Sequence, residues 1–183
     1  MGQSRWLLWK FHAALVAISL LVPFSHAQDA PAADMSAGYS SLYIVKGYTI
    51  WMNGGRATAA VNANNWFSAI GDFGSYVGHI PQSFTGETYL VGPRLTYRKL
   101  PRTTPFVQAL FGGSHFSTST GGITGGGNEF AFAVGGGGDI GLGSTQKFAL
   151  RLQGDYVGIR SSGSTTPSVR LGMGIVYRIG KGF

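Results

Sequence analysis

Residues 168–180 read SVRLGMGIVYRIG, and how they are read decides the fold. The odd positions Val169, Leu171, Met173, Ile175, Tyr177 and Ile179 are apolar. The even positions carry Ser168, Arg170, Gly172, Gly174, Val176 and Arg178. A repeat of two is that of an extended strand with one apolar and one polar face. If the apolar face turns inward, the chain is a soluble sandwich or barrel. If it turns outward, something apolar other than this chain's own core must cover it.

Working outward from that stretch, strand patterns are predicted at 37–46, 54–63, 66–77, 87–99, 104–115, 129–142, 147–160 and 168–180, with no helical period. Tyr89, Val91, Pro93, Leu95 and Tyr97 oppose Thr88, Arg94, Thr96 and Arg98. Phe148, Leu150, Leu152 and Tyr156 oppose Arg151, Gln153 and Asp155. Phe130, Phe132, Val134 and Ile140 oppose Glu129, Ala131, Ala133 and Asp139. The segment AGYSSLYIVK (37–46) has no clear phase. Tight connections at 64–65, 100–103 and 143–146 alternate with longer Gly-, Ser- and Thr-rich ones at 47–53, 78–86, 116–128 and 161–167. Short turns on one side and long loops on the other are the habit of transmembrane barrels.

Composition favours the outward choice. Charged residues are 11% of the 183 positions, against ~25% in an ordinary soluble protein, too few to cover a water-facing surface. The polar faces hold Arg56, Asp72, Arg94, Arg98, Glu129, Asp139, Arg151, Asp155, Arg170 and Arg178 among small residues. Arginine suits desolvated, bidentate pairing with carboxylates, so these ten are predicted to form an ionic network in a narrow lumen. After residue 27 the lysines are Lys46, Lys99, Lys147 and Lys181, all at strand ends or turns. Phe67, Tyr97, Phe148 and Tyr177 lie near the short-turn ends of apolar faces, and Tyr89, Phe130 and Tyr156 near the long-loop ends. Two such rings match the two interfaces of a membrane.

The N-terminus has the form of a secretory signal. Arg5 and Lys10 precede the apolar run Ala13–Val22, and Ser25-His26-Ala27 offers a cleavage site before Gln28. Residues 1–27 are therefore read as a signal peptide, 28–36 as a short periplasmic tether and 37–183 as the barrel domain. The expected formal charge after cleavage is +5, from +7, since Arg5 and Lys10 depart with no acid. No cysteine is present, which excludes disulfides and lipidation at cysteine.

The fold expected is thus all-β: an eight-stranded antiparallel up-and-down transmembrane barrel behind a signal peptide. The segments NNWFSAIGDFGSYVGH (64–79), TYLVGPRLTYRKLPRTTPFVQALFGGSH (88–115), FALRLQGDYVGIR (148–160) and VRLGMGIVYRIG (169–180) carry a resemblance. The chain resembles the small outer-membrane barrels of the OmpA transmembrane-domain and OmpX type. More narrowly, it is similar to the porin-family outer-membrane barrels common in acidobacterial genomes. The resemblance implies an integral outer-membrane location, contact with lipid and lipopolysaccharide, and insertion by the outer-membrane assembly machinery, which would read the terminal Phe183. It implies a non-enzymatic structural, membrane-integrity or surface-binding role through the long loops, with the loops' extracellular ligand unknown. A narrow porin-like channel is the alternative; eight strands leave an interior that side chains fill.

One enzymatic alternative arises from His115, Ser117 and Glu129, whose spacing resembles the lipid A 3-O-deacylase family. There, Ser117 would be nucleophile, His115 base and Glu129 orienter. The alternation argues against it, since Glu129 falls in the inward phase and His115 and Ser117 in the outward one. Residues 136–141, GGGDIG, fit a dinucleotide-binding pattern, but no helix follows them, so no cofactor is expected. His79 and His115 form no ligand cluster, so no metal is expected. No basic stripe points to nucleic acid.

Overall fold

The computed structural model describes residues 30–46, 48–80, 82–120, 123–161 and 163–180. The signal segment, the start of the tether, and Lys181 to Phe183 lie outside them. The described residues form eight strands: β1 (Ala33–Lys46), β2 (Tyr48–Asn62), β3 (Phe67–Ile80), β4 (Gln82–Thr96), β5 (Thr103–Thr120), β6 (Ile123–Leu142), β7 (Phe148–Ser161) and β8 (Ser164–Ile179). Each pairs antiparallel with its sequence neighbours, and β8 pairs with β1 to close the barrel. Closure leaves no sheet edge, so the strands satisfy one another's backbone groups, as a hydrocarbon surrounding requires.

Both ends of the described chain and the turns 63–66, 97–102 and 143–147 lie at one rim, here called the lower. The pairing climbs steadily toward the upper rim. From Arg94 it passes through Gln108, Gly135, Asp155, Arg170, Leu42, Met52 and Gly78. It returns to β4 at Phe84, ten residues higher. Eight strands with this stagger enclose a space that side chains can fill.

The opening question is answered on the outer wall. Val169, Leu171, Met173, Ile175, Tyr177 and Ile179 are all exposed, Met173 by 58%, whereas Arg170 is 0% exposed. The other strands agree: Val91 is 66% exposed and Arg94 2%. An apolar belt that runs round the whole barrel is far more than a soluble monomer displays, and its natural covering is lipid.

Two boundaries differ from expectation. β1 begins at Ala33, so the segment read as a tether supplies a strand's first four residues. The connections read as long upper loops are mostly strand: β2 starts at Tyr48, β5 runs to Thr120 and β6 starts at Ile123. Glycine is a poor strand former, and runs of glycine with serine and threonine carry turn signals. A hairpin already in register nevertheless satisfies their backbone groups by continuing, and Ser117↔Gly126 and Thr120↔Ile123 do so.

Candidate functional site

The lumen is the site that the fold assembles, and it is cross-braced by two ionic quartets. In the first, Arg56 on β2 and Arg170 on β8 each hold both Asp72 on β3 and Asp155 on β7. The Arg56 Nε donates to Asp72 Oδ2 at 2.7 Å, and its Nη1 lies 3.0 Å from Asp155 Oδ2. The Arg170 Nη1 donates to Asp72 Oδ1 at 2.9 Å, and its Nε to Asp155 Oδ2 at 3.0 Å. In the second, Arg151 on β7 grips Asp139 on β6 through Nε at 2.6 Å and Nη2 at 2.8 Å. Asp34 on β1 then lies 3.3 Å from Arg151 and 3.5 Å from Arg94 on β4.

Gln108 on β5 ties the quartets together. Its Oε1 accepts from Arg94 at 3.2 Å, and its Nε2 donates to Asp155 at 3.1 Å. Phe106 lies beneath both guanidiniums, 4.4 Å from Arg94 Cζ and 5.0 Å from Arg151 Cζ, so its ring face stabilises the charge that the carboxylates do not reach. Every strand thus contributes a side chain. Each quartet has two positive and two negative groups, and that neutrality is what makes so many buried charges tolerable.

Three of the ten residues predicted for this network stand apart from it. Arg98 is buried and donates to Asn62 Oδ1 at 3.0 Å, with no ion pair among the described residues. Burial holds its pKa below the ordinary arginine value. Arg178 donates to the Gln146 carbonyl and to Thr104 Oγ1 at the lower rim. Glu129 lies on the same pairing line as Asp139 but one circuit higher, ten residues up β6 and above both quartets. It makes no ion pair among the described residues. Asp34 was missed because it lies in a small, Pro-containing run that reads as a tether. Its signal was the phase it shares with Ser40 and Leu42 across an even spacing.

Because Arg98 has no carboxylate within ion-pair distance among the described residues, Arg98→Met is expected to lower unfolding stability by less than about 3 kcal/mol, the upper scale of one hydrogen bond from a charged donor, offset in part by relief of the guanidinium's desolvation. Urea titration in lipid vesicles checks it.

Above the quartets the interior turns apolar. Leu42, Met52, Tyr76, Leu90, Leu110, Ala131, Ala133, Val157 and Ile159 are each at most 3% exposed, with Ile50, Phe84 and Phe116 packed against them. The outer wall inverts at the same height: Glu87, His115 and Asn128 lie in the outward phase of β4, β5 and β6. Between the quartets and β1 is a cavity of about 20 Å³ lined by Arg56, Thr58, Arg151 and Gln153. That is room for about one water, not a passage.

The geometry separates the predicted His115, Ser117 and Glu129 trio. His115 and Ser117 lie in the outward phase of β5, whereas Glu129 shares the inward phase of Ala131 and Ala133. The His115 Nδ1 is 2.8 Å from Asn128 Oδ1, and the Ser117 hydroxyl is 2.7 Å from that of Thr85. A wall of sheet stands between base and orienter, so the relay a triad needs is not assembled.

No protein-family model matches the chain, and no curated protein does. Solved structures do. Neisserial surface protein A matches with a TM-score of 0.71 at 13% identity, over 83% of this chain and 100% of that one. Ail, the attachment invasion locus protein of Yersinia pestis, matches at 0.56 with 16% identity, over 81% and 99%. It has also been solved with the heparin analogue sucrose octasulfate. The N-terminal barrel domain of Pseudomonas aeruginosa OprF matches at 0.53 with 12% identity, over 82% and 100%. The chain therefore has the fold of the small outer-membrane barrels.

Proposed function

We propose that this chain is an integral outer-membrane protein of the bacterial envelope, exported by its N-terminal signal, with the lower rim in the periplasm. Its barrel is a sealed anchor rather than a pore, and its work is structural or adhesive, done by the four hairpins at the upper rim. The observation that carries this reading is the two-storey filling of the lumen. An ion entering from above meets the apolar layer around Leu90 and Leu110, and one entering from below meets two charge-neutral quartets. Neither layer offers it replacement hydration. The fold shared with a surface protein and an attachment protein supports the same reading.

Two measurements test it. Fractionated cells should hold the protein in the outer membrane, as a band that shifts on an unboiled gel. In planar bilayers the purified protein should leave the current at the leak level. Discrete conductance steps would overturn the sealed-anchor reading and restore the narrow channel.

A further inference from the structure

The lipid-facing wall carries a groove of about 420 Å³ across β1, β8, β7 and β6. Its floor is backbone, because Gly136 and Gly154 put no side chain there. Leu152, Leu171, Met173 and Tyr39 flank it. The groove follows the pairing line Gly136↔Gly154↔Leu171↔Ser41↔Asn53, which climbs toward the upper rim. Its deep end therefore lies in the middle of the apolar belt.

At the upper end is a polar trio on the same outer wall. The hydroxyl of Tyr39 donates to Asn53 Oδ1 at 2.7 Å, and that of Ser41 donates to the same oxygen at 2.8 Å. Both hydroxyl protons are thereby committed, and the Asn53 amide nitrogen keeps its two donors without a partner among the described residues. Just above stands the Tyr43–Trp51 pair, with ring centroids 4.6 Å apart, at the level where aromatic residues meet the head-group region. At that level, where the outer wall turns polar, the Asn53 amide donors remain open to an acceptor from outside the chain.

We propose that this groove is a binding site for one acyl chain of an outer-leaflet lipid, with the lipid's ester or amide carbonyl accepting from the Asn53 amide. This rests on the outer-membrane reading and adds to it a ligand class and a place. The trio is neutral and donates hydrogen bonds, so it suits a carbonyl rather than a phosphate. The occupant is a lipid rather than a second copy of the chain because the glycine floor is set between the flanking side chains of a convex wall. A second convex barrel could touch its flanks but not its floor.

The test uses the refolded barrel in a short-chain detergent, titrated with monododecanoylglycerol and followed by native mass spectrometry. A saturable one-to-one adduct is expected. A side chain at position 154 starts in ordinary contact, since an added Cβ meets only Leu171 Cδ2, at 3.4 Å, and a leucine there extends over the groove floor. Gly154→Leu should therefore keep the heat-shifted folded band and lose the adduct at least tenfold. Asn53→Ala, and the dodecyl glycerol ether, which lacks the carbonyl, should each weaken it several-fold. Equal adducts on wild type and Gly154→Leu would overturn the proposal. So would a dimer in the wild type that Gly154→Leu dissolves. Fractionation outside the outer membrane would instead sink the location reading, whatever the adducts show.

Discussion

Arg170→Met is expected to lower unfolding stability by about 3–5 kcal/mol, the cost of breaking a buried ion pair by removing one partner. Arg170 has no exposed surface and holds two carboxylates that are themselves fully buried as side chains. Methionine roughly fills the stem's volume, so the loss isolates the charge. Its removal leaves the first quartet with Arg56 alone against Asp72 and Asp155. Arg56 already serves both acids, so no neighbouring guanidinium is free to take over. The unfolding midpoint in urea should fall by more than about 1 M for an ordinary urea dependence. Adding Asp155→Asn to Arg170→Met removes the surplus negative charge and should recover part of the loss. A single variant as stable as wild type, or a double variant no better than the single, would show that the quartet does not brace the barrel. The contrast with Arg98→Met is the sharper measurement, since both are buried arginines and only one has carboxylates to lose.

The orientation of the wall was legible because two signals agreed at every height of the belt. Aliphatic and aromatic side chains occupied one phase, and arginine with small residues the other. In β4, β7 and β8 the sequence phase matches the exposure residue by residue. The upper storey was not legible, because polarity inverts there. Leu42 and Ile44 point inward while Tyr39 and Ser41 share the outer wall, so β1 mixes both conventions within six residues and its phase cannot be assigned from period two alone. The same inversion made the tops of β4 to β6 read as loops: above the belt Thr85, Ser117 and Asn128 take the outward phase, while Phe84, Gly86 and Phe116 take the inward one.

The site was half legible for a related reason. Alternation assigns a residue to a face but not to a height, and height is set by the stagger. Glu129 and Asp139 share a face and a pairing line, yet a full circuit separates them. Only the register shows that one joins Arg151 and the other does not. Asp34 has the converse history. Its sequence neighbours suggest a linker, and only the closure of β1 onto β8 carries it to Arg94 and Arg151.

Gly38→Val is expected to abolish folding, because it strikes the seam where the barrel closes. Gly38 on β1 faces Gly174 on β8, and a Cβ at position 38 would overlap the Met173 carbonyl oxygen and the Gly174 Cα. These are backbone atoms of the closing strand, so no rotamer change relieves the overlap. The two strands must separate or slip in register. A slip of one residue would turn the apolar face of β8 into the lumen, and a slip of two would carry Asp34 on β1 away from Arg151 on β7. Separation would leave two open edges in hydrocarbon, each with a row of unsatisfied backbone groups. The first strand made must meet the last, so the fault appears only at the final step of assembly. Open, unshifted protein should therefore accumulate on unboiled gels rather than a destabilised barrel. Gly55→Ala is the matched control: it also lies on the β1–β2 hairpin, but a Cβ there meets nothing within 4 Å. Removing a strand glycine at an open position should be neutral or slightly stabilising. A normal folded band for Gly38→Val would mean that the seam tolerates a side chain, and that closure depends on the quartets alone.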